Sequence, residues 1–391
     1  MNRKFFFISF LVVLVSIGLL GPNASAEEKE VKIGIVAGFS GGAASVALNW
    51  ERGVQMAVEE INAAGGILGK KVTTFSLDTQ SQTPVSVAAM RKAIEMNPYV
   101  VMGTCFSSAT VVNMEILQKA GIPQFTAGEA PAITQKGNPN IFRTSYSADL
   151  SMQKVVKWIT DVLKVKKLAI IYANDEFGKG GRDALVKLLK PKGVEIVADL
   201  GTEFGQADFT GELARVKASG ADTLFIYLHE EEGGRILPQA KEMGIDKVMR
   251  IAGHVTLIGP ETLRLAGDAA EGIPGEVDLS PVAKTFKPVA DRYEKQFNKV
   301  PDHNFFKAYI GTHIVQATAE LAGSFDQQKF RDTIHNRTYC FKDYPGILGD
   351  VHYDENGDID RESFLVKIEG GKQVITGTLG PLHPEWFEKC K

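Results

Sequence analysis

Short, near-continuous apolar runs alternate along this chain with segments whose apolar positions recur every three to four residues. The runs Val31–Phe39, Val72–Asp78, Tyr99–Thr104 and Ile122–Thr126 have the character of parallel strands covered on both faces. Between them, Trp50, Val54, Ala57, Val58 and Ile61 mark one helical face that ends at Gly65-Gly66. Thr83-Pro84 opens a second helix, with proline where the first turn tolerates it, and Ser107 or Ser108 can cap a third that ends at Gly121. A second series follows with strands at Leu168–Ala173, Val194–Leu200, Thr223–His229 and Val248–Ala252. Asp149 can cap a helix with the face Met152, Val155, Val156, Ile159 and Leu163, and Leu185, Leu188 and Leu189 line the next. Apart from a longer first step, strands recur about every 25–30 residues in both series, the spacing of βαβ units. The pattern predicts an α/β protein of two doubly wound lobes. Beyond Asp278 it changes: 284–299 and 304–322 read as helices, and Ser363–Ile368 with Val374–Gly377 reads as a hairpin around Gly370-Gly371.

Composition narrows the function. The chain has 391 residues, enough for two or three domains, and its 44 Lys+Arg against 47 Asp+Glu give a net charge of −3 without a basic run. Nothing here suits a nucleic-acid binder. Residues 1–26 read as a cleaved secretory signal: Arg3 and Lys4 precede the uncharged stretch Phe5–Leu20, Pro22 breaks it, and Ala24-Ser25-Ala26 supplies small residues for cleavage. An exported, soluble mature chain would begin near Glu27. In an oxidising compartment Cys340 and Cys390 could pair, while Cys105, at an apolar strand end, reads as a buried thiol.

The obvious motifs fail their tests. Gly65–Lys71 has the wrong spacing for a phosphate loop and runs from helix to strand. The Gly178–Gly181 segment lacks the dinucleotide spacing and reads as a turn shaping a helix entry. His229-Glu230-Glu231-Glu232 has no second histidine at helical spacing, so no metal is expected. Asp354–Asp358 misplaces the glycine of a calcium loop. No cofactor and no catalytic set is expected. What remains are small polar loops at strand ends: Ser40-Gly41-Gly42, Thr104–Ser108 and Thr126-Ala127-Gly128. Open α/β sheets bind ligands at that edge, and helix N-termini there suit a carboxylate.

Several segments resemble the leucine/isoleucine/valine-binding proteins, the substrate-binding subunits of branched-chain amino-acid ABC importers. They are Val31–Gly41, Arg52–Val72 with its EEINAAGGILGKK, Gly121–Ser147, Leu168–Leu185, Ala207–Tyr227, Leu265–Ile273 and Asp354–Lys372. The resemblance implies a type I periplasmic-binding fold whose two lobes, joined by three crossings, close on a ligand by a hinge. It implies an N-terminal lobe of 27–147 and 278–351, a C-terminal lobe of 148–277 and 352–391, and crossings near Ser147, Val277 and Val351. Partners would be a small solute and an inner-membrane ABC permease, in the periplasm; a monomer is expected.

Carried over by position, the resemblance implies a ligand carboxylate at Ser107, with Ser108 adjacent, and at the loop Thr126, Ala127, Gly128 and Ala130. Ala130 stands where the family has a threonine, and Glu129 lies beside it. Phe177 matches the aromatic wall, and His229-Glu230 the loop that brings a tyrosine. The acid that would pair an α-ammonium is missing after Val248–Ala252, where Gly253-His254 stands, and Ser81 and Phe106 replace the family's disulfide pair. Either Glu230 or Glu129 substitutes for that acid and the ligand is a branched-chain or other apolar amino acid, or the ligand is an aromatic or other amine-free carboxylic acid. His254, His229, Tyr146 and Phe177 would suit the latter. Phe305 and Phe306 are candidates for a further wall, against core packing for at least one. An exported sensor module would share the fold, and an exported enzyme would need a nucleophile–base pair that the sequence does not offer.

Overall fold

The computed structural model describes residues 30–42 and 44–391; the expected signal segment, 1–26, lies outside the described residues. Five parallel strands form the first sheet: β1 (Glu30–Ala37), β2 (Lys71–Asp78), β3 (Val100–Gly103), β4 (Gln124–Thr126) and β5 (Ile141–Arg143), in the order β2-β1-β3-β4-β5. The second sheet takes β6 (Lys167–Ala173), β7 (Glu195–Thr202), β8 (Thr223–Tyr227), β9 (Arg250–His254) and β10 (Pro274–Val277) in parallel. A small third sheet holds β11 (Arg337–Tyr339), β12 (Val351–Tyr353) and β13 (Ile359–Asp360), and a final hairpin, β14 (Ser363–Glu369) and β15 (Lys372–Leu379), adds antiparallel to the second sheet beside β10. β3 and β8 are buried throughout and β6 over most of its length, which explains their apolar runs: helices cover both faces.

In the first lobe these helices are α1 (Ala44–Ala63), α2 (Thr83–Glu95) and α3 (Ser107–Ala120). The second has α4 (Ala148–Lys157), α5 (Glu176–Leu189), α6 (Thr210–Ala218), α7 (Glu230–Glu242) and α8 (Pro260–Ala266). After β10 the chain returns to the first lobe with α9 (Lys287–Phe297), α10 (His303–Ala322) and α11 (Gln327–Ile334). α10 lies tightly on α1, where a Cβ on Gly53 would stand 2.3 Å from the Phe305 carbonyl oxygen, so only glycine allows that approach. Phe305 and Phe306 are fully buried against Tyr293 and Phe286, inside this packing and not on a ligand wall.

Three details differ from the sequence reading. The α3 cap is Phe106, with Ser107 the first helical residue and Ser108 the second, and the α4 cap is Ser147, with Asp149 in the first turn. The Gly178–Gly181 segment lies within α5, not before it. The third crossing falls at Arg361–Glu362 and not near Val351. β12 and β13 belong with the first lobe, where the Tyr353 hydroxyl donates to the Arg143 carbonyl at 2.7 Å and Arg143 pairs with Asp358. Past β15 the tail turns back to the first lobe. Asp360 accepts from the amides of Leu382 and His383, Thr338 donates to the Trp386 carbonyl, and Cys340 and Cys390 form a disulfide.

Candidate functional site

The carboxyl ends of β3 and β4 face those of β6 and β8 across a cleft, and the first turns of α10 form its floor. Between them is about 350 Å³ of empty space, its mouth included. Of the residues singled out in the sequence, Ser107, Ala127, Gly128, Phe177, His229 and Glu230 line it, as does Glu129. Ser108 faces a neighbouring compartment instead. Thr126 is buried and its hydroxyl is spent on the Thr104 carbonyl and the Gly128 amide; Ala130 is buried off the cavity wall. Tyr146 stands at the first crossing, bonded to Lys154 and to the backbone of Arg361. His254 lies behind the Tyr227 ring, off the cavity.

The first-lobe loop is held by its own hydroxyls. Ser107 Oγ accepts from the amides of Glu129 (3.0 Å) and Ala130 (3.1 Å). Those amides are therefore not free donors for a ligand, but the Ser107 proton remains one. Glu129 Oε1 meets Lys307 Nζ of α10 at 2.7 Å, and Glu129 Oε2 accepts from the Tyr227 hydroxyl of the second lobe at 3.3 Å. Burial pushes the Glu129 carboxyl up, but Lys307, as a charge and as a hydrogen-bond donor, outweighs it and holds it ionised. Burial likewise depresses Lys307, and Glu129 reverses this.

The second lobe contributes a ring stack and two more carboxylates. A Cβ on Gly181 would lie 2.2 Å from the Tyr227 ring, so this bare stretch of α5 lets Tyr227 and Phe177 stack with centroids 4.3 Å apart. Asp175 caps α5 through the Gly178 amide (2.9 Å) and meets His229 Nε2 at 2.7 Å with its other oxygen. Burial opposes the charge on His229, yet the Asp175 bond and charge lift its pKa above the ordinary value. Glu230 opens α7, where the helix dipole favours an anion. Its Oε1 meets His303 Nε2 at 3.2 Å and Asn304 Nδ2 at 3.1 Å, both on the first-lobe side. Burial pushes Glu230 up, but His303 and His229 bring it down to about 2.

Sequence reasoning missed His303, Asn304, Lys307, Asp175 and Tyr227. The available signal for the first three was a histidine and a lysine four residues apart in the first turns of a mostly apolar helix.

Behind the cavity the crossings enclose a second buried polar cluster. Lys154 Nζ donates to the Tyr146 hydroxyl and the Arg361 carbonyl, both at 2.6 Å. Neither carboxylate oxygen of Glu276 has a hydrogen-bond partner among the described residues, and His254 Nε2 is 3.5 Å away. Burial raises Glu276 to about 8 and depresses His254, so the two face each other uncharged near neutral pH.

Among the described residues no helix is long and apolar enough to cross a membrane. Residues 30–373 match a family described as periplasmic binding protein. A Leu/Ile/Val-binding protein of Rhizobium johnstonii is 29% identical over 369 residues, 92% of this chain and 97% of that one. The substrate-binding protein LivJ of a branched-chain amino acid transporter from Streptococcus pneumoniae, solved with isoleucine, is 25% identical with a TM-score of 0.80. The match covers 90% of this chain and all of that one. A solute-binding protein from Rhodopseudomonas palustris, solved with 3,4-dihydroxybenzoic acid, shares the fold at TM-score 0.82 and 21% identity, covering 90% and 98% of the two chains. With the match spanning nearly all of the described residues, the chain belongs to the periplasmic binding protein family, whose members hold solutes and are not enzymes.

Proposed function

We propose that this protein is the substrate-binding subunit of an ABC importer and that its ligand is a small apolar α-amino acid. The observation that carries the ligand reading is that the carboxylates in and beside the cavity each have a basic partner. Glu129 pairs with Lys307, Glu230 with His303, and Asp175 with His229. A zwitterion adds no net charge to such a cavity, whereas a bare anion would be buried beside the carboxylates of Glu129 and Glu230 that line it. In this reading Glu230 takes the α-ammonium in place of the acid missing at the end of β9, at Gly253-His254. The α-carboxylate meets the Ser107 hydroxyl and Lys307, and the side chain packs on Phe177. Hinge closure expels water and strengthens each polar contact. The branched-chain specificity named for the Rhizobium and Streptococcus relatives supports this choice. Export on residues 1–26, delivery to an inner-membrane permease and a monomeric state complete the proposal.

The test is calorimetric titration of refolded residues 27–391 with leucine, isoleucine and valine against benzoate and 4-hydroxybenzoate. The amino acids are expected to bind. Glu230→Gln should weaken them about 10- to 100-fold, the scale of a lost charged hydrogen bond. Binding of the amine-free acids alone would favour the second reading, for which the rings of Phe106, Phe177 and His229 around the cavity speak.

A further inference from the structure

The space between the lobes is divided. Beside the ligand cavity lies a compartment of about 650 Å³ under the turn that joins β2 to α2, and another of about 490 Å³ at the start of α7, mouths included. Phe106 lines all three. Its backbone is extended (φ −97°, ψ 135°) at the α3 N-cap, and the helix has no side-chain cap there. That position ordinarily favours Ser, Thr, Asp or Asn. Here the capping bond is forgone and a half-buried ring stands in the cleft instead, a local rule broken at a site. The ring centroid lies 5.0 Å from that of His229 and 6.1 Å, edge-on, from that of Phe204. Phe106 belongs to the first lobe and the other two to the second, so the partition is complete only when the lobes meet.

We propose that Phe106 is a specificity-determining partition. It confines the solute to the inner cavity and rejects amino acids whose side chains would extend into the compartment lined by Thr79, Gln82 and Ser108. This rests on the ligand reading above and narrows it to short apolar side chains.

The experiment compares leucine and tryptophan by calorimetry on the wild-type chain, Phe106→Ala and Phe106→Leu, with the ligand-free melt of each as the check on folding. The wild type should favour leucine by about 100-fold or more. Phe106→Ala should lose about tenfold on leucine and bring tryptophan within about tenfold of it, with Phe106→Leu in between. If Phe106→Ala does not fold, Phe106→Leu carries the test. An unchanged leucine-to-tryptophan ratio in the folded variants overturns the partition while leaving the ligand reading standing. If the wild type binds benzoate and not leucine, the ligand reading falls alone, and the ratio of benzoate to 4-phenylbutyrate replaces it as the measure of the partition. No binding of either series overturns both.

Discussion

Two buried carboxylates a few side chains apart behave in opposite ways. Glu230, at the cleft, is held ionised; Glu276, at the hinge, is held protonated. Burial acts on both in the same direction, raising the carboxyl pKa, so burial does not decide between them. Partners do. Glu230 has His303 and Asn304 within hydrogen-bond reach and sits at a helix N-terminus. Glu276 faces a depressed His254 at 3.5 Å and the like charge of Asp278, with Lys154 as its cationic neighbour. The cleft thus presents ionised carboxylates, each held by partners, to a solute. Of these hinge groups only Glu276 and His254 are neutral, so that pair can shift without separating buried ions, while Lys154 and Asp278 beside it keep their charges.

The strongest way to break this contrast is to unpair the cleft. Lys307→Met leaves Glu129 buried with only Tyr227 as a partner, and should cost about 3–5 kcal/mol in denaturant unfolding, most of it recovered when Glu129→Gln is added. A loss below about 1 kcal/mol would mean that water reaches Glu129.

Next comes pH. A carboxyl raised in the fold above its ordinary 4.5 contributes stability that is complete below that value and is lost as pH climbs through about 8, which is the Glu276 case. A lowered carboxyl contributes above 4.5 and loses it as pH falls through about 2, which is the Glu230 case. Ligand-free stability of Glu276→Gln should therefore decline less than wild type between pH 4.5 and 8. Parallel profiles would show Glu276 already ionised at neutral pH.

Ser107→Ala should lower ligand-free stability by about 1–3 kcal/mol, because two buried amides lose their acceptor, and weaken binding as well. Lost affinity without lost stability would make Ser107 a ligand contact alone. The smallest effect is expected for Ser108→Ala, within about 0.5 kcal/mol in stability and with affinity nearly unchanged, since Ser108 faces the other compartment. A loss of affinity matching that of Ser107→Ala would put both serines on the ligand.

The two βαβ series were legible because strands such as β3 and β8 are buried on both faces and leave long apolar runs. The third crossing was not, because β12 and β13 span three and two residues and carry no periodicity. At the cleft, strand-end position and the family resemblance together reached Ser107, Phe177, His229 and Glu230. They could not separate Tyr146 and His254 from these, since a residue just past a strand can turn to the cleft or to the hinge, and packing around Lys154 and Glu276 settles which. Lys307 and His303 escaped for another reason. α10 is buried on almost every side, so its polar residues do not stand out from a solvent face.

The Cys340–Cys390 bond has a mechanical meaning. The stretch between its ends, a sequence separation of 50, leaves the first lobe at Arg361, runs through β14 and β15 in the second, and returns by the tail to the lobe it left. With the bond in place that stretch is a covalent ring threaded through both halves. The bond thus fastens covalently, at the first lobe, a tail that Asp360 and Thr338 already hold there by hydrogen bonds.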